Sequence, residues 1–594
     1  MRSRSDCQAL FDDNLDHSGD LLLTGLVQTH LCSAADDVPR FFGALDAARK
    51  RGLWVALAAH YELGYALEPR LSPLLPEGTT LARAWVFRTA ERIPASDSRQ
   101  RLNAELAGLD EHQALAGVAA LRRNIAEEDY LTDIQRIRAW ISAGDCYQVN
   151  YTFAVEGQTF GAPVALYCRL RDAQPVRYGA FIRHASGAIL SRSPELFVER
   201  SGKRLVCRPM KGTAARDTQR SALATSEKNR AENVMIVDLI RNDLGRLAPP
   251  GGVCVTQLCE IEAYPSVWQM TSTVRAEPVE TDLESVLRAL FPCGSITGAP
   301  KIRAMEIIRA LEGGPRGLYC GALGWIAPNG DFRFSVPIRT LDVDAGGHFR
   351  LGLGSGIVAD SDAAAEYDES VLKGRFVTDL RCPFGLIETL RCEPGGTQPY
   401  PLLERHLRRL SASAAHFGIA CNIPELRNRL DAFAAGRTVP HRVRVELRPD
   451  GEVLITGGEV EQETGIARTV TLSNTSMDSR DPLLLHKTTA RARYETELRQ
   501  AMATGHFDIL FFNERGELTE GARCNVFLDV GEDRLLTPPL ECGLLDGVYR
   551  RKLLEEGRAR EARLTRSDLM AAKAIFLSNA LRGLIPARLV ESDQ

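Results

Sequence analysis

The sequence lacks the features that mark several whole classes of protein. Its 14 cysteines include no CxxC pair, which disfavours both a disulfide framework and a structural zinc site in a chain of this size. No apolar run approaches the roughly 20 residues that a membrane span requires. The first residues carry no apolar stretch typical of a secretory signal. We therefore expect a cytoplasmic protein with reduced thiols and no membrane association.

A strong net charge, an internal repeat and a low-complexity linker are absent as well. The formal net charge of −4 provides no basic field to attract nucleic acid. The 594 residues exceed what one core normally holds, so several domain-sized units are expected. Near GRFVTDLRCPFG a long helical pattern ends and an extended segment, FGLIETLR, begins. We place the domain boundary there, at residues 380–383, between a first domain of residues 1–381 and a second of residues 383–594.

The most specific segment of the first domain is FPCGSITGAPKIRAMEII, residues 291–308. Small and hydroxyl residues lead to Pro300, a favoured first residue for the helix that follows. Such a helix start offers free N–H groups and a positive dipole end to an anion. Ordinary helix capping would use the same residues, so the local pattern alone leaves both interpretations open.

Seven other motifs accompany this segment in a fixed order along the chain. They are GDCYQVNYT, SRSPELF, PMKGT, ENVMIVDLIRNDLGR, YCGALGW, IRT and GSGIVADSDAAAEYDES. With residues 291–308 they resemble the chorismate-utilising enzymes, a family that includes anthranilate, aminodeoxychorismate and isochorismate synthases. The resemblance is dense over residues 120–380 and loose over residues 1–110. It implies a fold of two large antiparallel sheets sandwiched with helices.

Chorismate carries two carboxylates, and the resemblance implies a site that binds them. Arg339 would hold one carboxylate through its planar fork, and the Gly354-Ser355-Gly356 segment would form a nest of N–H groups. Taken alone, these residues suit a surface ion pair and a plain turn equally well. The substrate-binding residues that the resemblance implies are Gly212, Thr213, Tyr319, Arg339, Gly354, Ser355 and Gly356.

A magnesium site is implied by three carboxylates. Glu366 and Glu369 lie three residues apart, so on a helix they share one face. The resemblance adds Glu232 and places Mg²⁺ against the ring carboxylate of chorismate, in line with the preference of this cation for oxygen ligands. A solvated acidic helix face is the alternative. Asn229 departs from the acidic residue that many relatives carry three positions before Glu232.

Lys211, in PMKGT, distinguishes the members of the family. The resemblance associates lysine here with aminodeoxychorismate synthases and alanine with anthranilate synthases. A lysine amine can attack ring carbon 2 and expel the 4-hydroxyl before ammonia displaces it, and Glu195 matches the acid that protonates the departing hydroxyl. Gln148 lies in the segment CYQVN, where isochorismate synthases carry a base lysine. Gln269 stands at a position where several relatives carry a histidine. The first departure disfavours activation of water, and the second favours an enzyme that stops at 4-amino-4-deoxychorismate.

The second domain carries five ordered motifs of its own. They are RHLRRLSASAAHFGI, HKTTARARY, NERGELTEGARCNVF, LLTPPLECGLLDGVYR and IFLSNALRGLIP. They resemble the fold-type IV pyridoxal-phosphate enzymes, whose domain consists of two α/β subdomains. With the first domain this predicts a protein of the α+β class.

The resemblance also implies the cofactor site of the second domain. Lys487 would bind pyridoxal phosphate covalently and then shuttle protons, and Glu520 would keep the pyridine nitrogen protonated. Tyr494 is a further candidate. Asp546, Arg523 and Cys524 differ from the residues common in the family, in the segments where phosphate and substrate contacts are expected. The residues expected to hold the phosphate are Arg409, Val548, Ser578 and Asn579.

The SNALRGL segment is similar to aminodeoxychorismate lyases rather than to the transaminases of the same fold. We therefore expect a bifunctional enzyme that aminates chorismate and then eliminates pyruvate to give 4-aminobenzoate. An anthranilate synthase joined to a branched-chain or D-amino acid aminotransferase, and an inactive chorismate-binding scaffold, are the alternatives. No G-x-C-x-G cysteine of a glutaminase is present, so we expect ammonia from a separate glutaminase subunit, and a homodimer through the second domain.

Overall fold

The computed structural model describes residues 7–15, 19–216, 220–263, 267–394, 398–460 and 466–590. The chain folds into two compact units. The first consists of Met1–Ala107, Arg122–Gly157 and Leu166–Asp379, and the second of Gly108–Leu121, Gln158–Ala165 and Leu380–Gln594. The second unit therefore takes two short segments from the first half of the sequence.

Eighteen of the described strands precede residue 380, and hydrogen bonds link them into one network. The pairings described here are antiparallel, for example β7 with β8 over seven residue pairs. The expected two sheets are thus not separate in their hydrogen bonding. The strands are β1 (Gln8–Asp12), β2 (Asp20–Cys32), β3 (Trp54–Ala59), β4 (Ala82–Ile93), β5 (Gly117–Arg123), β6 (Gln148–Phe160), β7 (Tyr178–His184), β8 (Gly187–Ser193), β9 (Leu196–Ser201), β10 (Arg204–Arg208), β11 (Met210–Ala215), β12 (Val253–Ala263), β13 (Val267–Ala276), β14 (Gly298–Ala299), β15 (Ala322–Ile326), β16 (Phe332–Ser335), β17 (Thr340–Asp344) and β18 (His348–Ile357).

The helices of this part of the chain begin at residues that suit a helix start. The side chains of Ser226 and Asp362 cap two of them by accepting from the backbone N–H groups of Asn229 and Ala365. The helices are α1 (Val38–Lys50), α2 (Leu63–Leu67), α3 (Ala95–Ala107), α4 (Glu111–Ala114), α5 (Glu127–Ser142), α6 (Pro163–Ala173), α7 (Arg220–Thr225), α8 (Glu227–Gly245), α9 (Leu283–Leu290), α10 (Lys301–Leu311) and α11 (Ala363–Thr378).

The part of the chain after residue 380 forms two sheets. One has three strands in the order β19-β20-β21, and the other has eight in the order β24-β23-β22-β29-β28-β25-β26-β27. The larger sheet is mixed, since β22 pairs in parallel with β23 and β29. Its strands and those of the small sheet are β19 (Leu386–Cys392), β20 (His441–Leu447), β21 (Val453–Glu459), β22 (Arg468–Met477), β23 (Asp508–Asn513), β24 (Leu518–Gly521), β25 (Asn525–Asp529), β26 (Leu535–Thr537), β27 (Ala559–Glu561), β28 (Ala574–Asn579) and β29 (Gly583–Leu589).

Five helices accompany these sheets. They are α12 (Leu403–Phe417), α13 (Ile423–Ala434), α14 (Ala492–Ala503), α15 (Val548–Glu555) and α16 (Arg566–Ala571). None of the helices in the described residues combines the length and the apolar character needed to cross a membrane. The predicted α+β class is confirmed.

The core of the second unit uses one of the segments taken from the first half of the sequence. Phe160, at the end of β6, lies 5.4 Å from Phe384 and 5.8 Å from Phe417 between ring centroids. All three rings are buried. Aromatic burial of this kind is a large stabilising contribution, so Phe160 is part of the second unit's core.

Candidate active sites

Glu195 is the buried acid of the first unit. It lies in the short turn between β8 and β9, only 4% exposed, and its Oε1 accepts a hydrogen bond from the hydroxyl of Ser295 over 2.7 Å. Burial raises the pKa of Glu195 to about 7, and the bond from Ser295 and the charge of Lys211 oppose this rise only in part. At neutral pH the group therefore exists both as an acid and as a carboxylate.

Lys211, on β11, is the lysine of the same site. Burial lowers its pKa even though Glu232 and Glu195 favour the charged form. A Cβ added at Gly356 would lie 3.1 Å from Nζ of Lys211 and 2.8 Å from Nε2 of Gln148. The two side chains thus meet at the backbone of β18, where an added Cβ would push the flexible ends of both side chains aside by a few tenths of an ångström.

Gln148 was not predicted as a site residue, although it is fully buried. Neither its amide oxygen nor its amide nitrogen has a hydrogen-bond partner among the residues that the structure describes. Leaving such a group unpaired costs about 1–3 kcal/mol, so the amide is available to a bound ligand beside Lys211. No local pattern in CYQVNYT reveals this, because the missing partner depends on the tertiary fold.

The residues expected to bind substrate gather around β18. The ring of Tyr319 packs against Gly352, where an added Cβ would lie 2.1 Å from it. The carbonyl of Gly354 accepts from Lys373 over 2.9 Å, and Ser355 is buried near the hydroxyl of Tyr130. Gly354, Ser355 and Gly356 lie within an extended strand. The predicted nest is therefore wrong, because a nest needs alternating helical conformations whereas strand N–H groups point alternately to either side.

Arg339 and Gly212 both have unusual backbone conformations. Arg339 has φ of 52°, which is uncommon for a residue with a side chain, and its carbonyl accepts from the N–H of Arg192. Gly212 has φ of 84°, and its carbonyl accepts from Nε2 of Gln269 over 2.8 Å. A Cβ there would lie 3.0 Å from Asn229, so the two family departures meet at Gly212. The side chain of Thr213 lies outside the described part of the structure.

The three predicted metal ligands have different partners. Glu366 accepts from the hydroxyl of Ser361 over 2.8 Å, and Glu369 forms an ion pair of 2.7 Å with Lys373. Burial and the negative charge of Glu366 raise the pKa of Glu232, opposed by Lys211. Among the described residues no group of three or more His, Cys, Asp or Glu has the arrangement of a metal site. The charges of Glu232 and Glu366 thus affect each other, but the three carboxylates are not arranged around a common metal position in the described structure.

Lys487 is a half-buried lysine of the second unit. Its carbonyl accepts from the N–H of Ile387 over 2.8 Å, which fixes the backbone beside β19. Burial lowers the pKa of the Lys487 amine to about 7, and the charges of Arg491 and Arg409 lower it further. An amine with this pKa is largely available as a nucleophile near neutral pH.

Glu520, on β24, faces two donors. Its Oε1 accepts from the hydroxyl of Tyr494 over 3.1 Å, and its Oε2 from the amide of Asn525 over 3.2 Å. Burial raises the pKa of Glu520 to about 7. Tyr494 therefore contacts a site residue directly. Arg491, which sequence reasoning missed, lies 5.0 Å from the Tyr494 ring and donates to the carbonyl of Ala522.

The four residues expected to hold a phosphate differ in their surroundings and in their hydrogen-bond partners. Arg409 is hydrogen-bonded to Glu388, and it lines a cavity of about 360 Å³ together with Val548, the first residue of α15. Ser578 is 1% exposed and its hydroxyl has no partner in the described structure. Asn579 uses its Oδ1 to accept from Leu581 and Arg582 and its Nδ2 to contact the thiol of Cys524.

Comparison with known proteins identifies the family of the first unit. Residues 27–379 match the family described as chorismate binding enzyme. The chain belongs to this family. Residues 385–590 match the family described as amino-transferase class IV. Both resemblances expected from the motifs are thereby confirmed.

Two curated relatives of this chorismate binding enzyme match its first half. Aminodeoxychorismate synthase component 1 from Klebsiella aerogenes is 44% identical over 260 residues, covering 42% of this chain and 57% of the relative. Anthranilate synthase component 1 from Streptomyces coelicolor is 40% identical over 268 residues, covering 44% of this chain and 52% of the relative. The chain spans about half the length of the curated relatives it matches.

A solved structure shares the fold. Anthranilate synthase component I from Streptococcus pneumoniae superposes with a TM-score of 0.50 at 23% identity, covering 62% of this chain and 90% of that one. At this identity the likeness establishes the fold of the chorismate binding unit.

Proposed function

We propose that the chain converts chorismate into 4-aminobenzoate in two steps, amination in the first unit and elimination of pyruvate in the second. One observation carries the proposal. Each unit holds a half-buried lysine with a lowered pKa near a buried carboxyl group whose pKa is raised to about 7, Lys211 with Glu195 and Lys487 with Glu520. Perturbed groups paired in this way are typical of acid–base and nucleophilic sites.

In the first step the neutral amine of Lys211 attacks ring carbon 2 of chorismate. Both conjugated ring double bonds shift, and the 4-hydroxyl leaves as water with the proton that Glu195 donates. Ammonia then attacks carbon 4, both double bonds shift back, and Lys211 leaves carbon 2 as a neutral amine, while the proton lost by the added nitrogen restores the acid form of Glu195. The unpaired amide of Gln148 lies beside Lys211 and would contact the reacting groups.

Magnesium would bind on the carboxylate side of this site. The donors are hard oxygens of the kind that Mg²⁺ prefers, and the raised pKa of Glu232 reflects burial and the nearby charge of Glu366. Glu232 and Glu366 would hold the cation, with Glu369 joining after release of Lys373. The cation would neutralise the ring carboxylate of chorismate.

The second unit fits pyridoxal phosphate. The unpartnered hydroxyl of Ser578 and the cavity between Arg409 and Val548 provide donors for its phosphate, and Glu520 would face its pyridine nitrogen. When bound, the cofactor withdraws electrons from the carbon that bears the substrate amine. Lys487 then removes the proton from ring carbon 4, and the enolpyruvyl group leaves from carbon 3 as pyruvate, which leaves an aromatic ring.

We also propose the partners and the setting of the reaction. A separate glutaminase subunit supplies the ammonia, the second unit forms a homodimer, and the protein acts in the cytoplasm. The relative named component 1 supports the first of these, since that name implies another component.

The test is incubation of the protein with chorismate, Mg²⁺, ammonia and pyridoxal phosphate. Products must be separated by chromatography before mass analysis, because 4-aminobenzoate and anthranilate have the same mass. We expect 4-aminobenzoate and pyruvate in equal amounts. Anthranilate as the main product would contradict the amination step, and an accumulating amino intermediate would contradict the elimination step.

A further inference from the structure

Glu388, on β19, is a buried carboxylate that has no part in the steps proposed above. It is 2% exposed and accepts hydrogen bonds from Nε of Arg409 over 2.8 Å, from Nη2 of Arg409 over 2.7 Å and from Nδ1 of His406 over 2.6 Å. Burial alone would raise the pKa of Glu388, but the charges of Arg409 and His406 hold it at about 2. A charge buried this deeply persists only when its partners are well placed.

The bonds to Glu388 determine which edge of Arg409 remains free. A guanidinium has a rigid fork of five N–H groups. The bidentate pair uses Nε–H and one hydrogen of Nη2, and Nη1 donates to the carbonyl of Asp546 over 3.1 Å. One hydrogen on Nη1 and one on Nη2 are left for another acceptor. Arg409 and Val548 line the same cavity of about 360 Å³, at the start of α15, where N–H groups also favour an anion.

We propose that Glu388 is a positioning residue, which His406 holds in place and which fixes Arg409 so that its free edge binds the cofactor phosphate. This inference rests on the proposed binding of pyridoxal phosphate in the second unit. Without the bond to Glu388, the long side chain of Arg409 would lose rotamer freedom on binding the phosphate. The bidentate bond to Glu388 orders the guanidinium in advance, so binding does not have to order it.

His406 has a separate part in this arrangement. It lies on α12 three residues before Arg409, so the two side chains lie on the same face of the helix. Its bond to Oε2 of Glu388 keeps the carboxylate plane aligned with the guanidinium. The two buried residues, Glu388 and His406, thus lie on the side of the half-buried Arg409 that is opposite its free edge.

The experiment compares two ligands that differ only in the phosphate. The full-length protein, carrying either Glu388 or the Glu388→Gln substitution, is titrated with pyridoxal phosphate and with pyridoxal, and binding is followed by absorbance. We expect Glu388→Gln to weaken pyridoxal phosphate about tenfold to a hundredfold, the range for a hydrogen bond to a charged group, and to leave pyridoxal affinity unchanged. Glu404 lies on α12, as Arg409 does, and forms an exposed ion pair with Arg427 of α13. Glu404→Gln is therefore the matched control and should change neither affinity.

Equal loss of both ligands would show that Glu388 only supports the fold, and would overturn the proposal, as would no loss of either. Failure of the unsubstituted protein to bind pyridoxal phosphate would overturn the proposed function together with this inference. Glu388→Gln alone leaves the charge of Arg409 without its partner, which can impair folding. A double variant that removes both charges avoids this problem. Glu388→Gln placed in an Arg409→Gln background should not weaken pyridoxal phosphate further, because Glu388 acts through Arg409, whereas a further loss would contradict that role.

Discussion

The hydroxyl of Ser295 donates a hydrogen bond to Oε1 of Glu195 over 2.7 Å. This bond favours the charged carboxylate, whereas burial favours the neutral acid and raises the pKa to about 7. Ser295 thus helps to set the pH at which the carboxyl group of Glu195 loses its proton. The relationship joins two motifs, SRSPELF and the segment of residues 291–308, that are about a hundred residues apart.

A pH dependence follows from this pair. Glu195 must hold a proton to donate it, and its pKa is raised from 4.5 to about 7. The acid form is therefore complete well below pH 7 and is lost as the pH rises through 7. Because Lys211 and the ammonia must both be neutral to attack, a decline in amination of up to about tenfold per unit is expected at a fixed concentration of NH3 and above the pH at which Lys211 has lost its proton. Ser295→Ala removes a bond that lowers the pKa, and should shift this decline to higher pH. The measurement is the rate of 4-amino-4-deoxychorismate formation between pH 6 and 9. This range runs from about one unit below the pKa of Glu195 to about two units above it.

Ser193→Ala is the control for Ser295→Ala. The hydroxyl of Ser193 accepts from the backbone N–H of Glu195 and donates to the carbonyl of Val336, and it makes no bond to the carboxyl group. Its removal should leave the position of the decline unchanged. A decline that stayed in place in Ser295→Ala would contradict the assignment of Glu195 as the titrating acid.

Lys211→Ala should lower the rate of 4-amino-4-deoxychorismate formation by several orders of magnitude, as the loss of a covalent nucleophile does in other enzymes. Elimination from supplied intermediate should continue, because we propose that this step takes place in the second unit. Residual formation of anthranilate is compatible with this result, since direct attack of ammonia at carbon 2 needs no lysine. Lys203→Ala, which removes an exposed lysine paired with Glu280, should have no effect on either activity. Amination at near the normal rate in Lys211→Ala would exclude the two-displacement mechanism.

Gly356→Ala should impair amination without unfolding the first unit. The new Cβ would lie 2.8 Å from Gln148 and 3.1 Å from Lys211, so both side chains must move. A displacement of about 1 Å at a reacting group lowers the rate by about a hundredfold, so shifts of a few tenths of an ångström should lower it by a smaller factor, up to about tenfold. The measurement is kcat for amination, with Gly43→Ala in α1 as the control because nothing lies within 4 Å of a Cβ there. A normal kcat in Gly356→Ala would show that Lys211 and Gln148 do not need this geometry.

Lys487→Ala should have the complementary effect. The protein should lose the absorbance of covalently bound cofactor and should release 4-amino-4-deoxychorismate from chorismate instead of 4-aminobenzoate. The amination rate should not change. An unchanged yield of 4-aminobenzoate from Lys487→Ala would remove the elimination step from this chain.

The motifs predicted residue types better than they predicted partners. Lys211, Glu195 and Lys487 could be singled out because their chemistry requires a lysine or a carboxyl group at a fixed place in a motif. The unpaired amide of Gln148 and the fork between Glu388 and Arg409 could not be. Both depend on which side chains the fold brings together, and a motif does not contain that information.

Helix spacing gave correct neighbours but not correct bonds. Glu366 and Glu369 are both on α11, as their separation of three predicts. Their nearest partners, Ser361 and Lys373, are set by the loop before the helix and by the next turn. The nest predicted at Gly354-Ser355-Gly356 failed for a related reason. Glycines suit a turn and a tightly packed strand equally well, and the neighbours of β18 select the strand.

The division of the chain was the least predictable feature. A change of pattern marks residues 380–383, but nothing in residues 108–121 or 158–165 shows that they belong with the second unit. Phe160 reads as one more apolar residue of β6. Its partners, Phe384 and Phe417, are more than two hundred residues away, so only the tertiary structure reveals this part of the core.

Phe160→Ala should therefore destabilise the second unit although it lies in the first half of the sequence. Removal of a buried phenylalanine costs about 3–5 kcal/mol, and Phe160 is 3% exposed against Phe384 and Phe417. Urea denaturation of the full chain, with bound cofactor absorbance reporting the second unit and amination activity the first, measures where the loss falls. We expect the cofactor signal to be lost at lower urea while amination persists.

Phe153→Ala on the same strand is the matched control. Phe153 is 4% exposed and packs against Tyr130 and Tyr367 within the first unit. Its loss should lower the urea midpoint of amination and spare the cofactor signal, the reverse of Phe160→Ala. Equal effects of both substitutions on both signals would mean that the two units unfold as one, and the assignment of residues 158–165 to the second core could then not be read from stability. A loss of amination alone in Phe160→Ala would contradict that assignment directly, because the ring would then be stabilising the first unit.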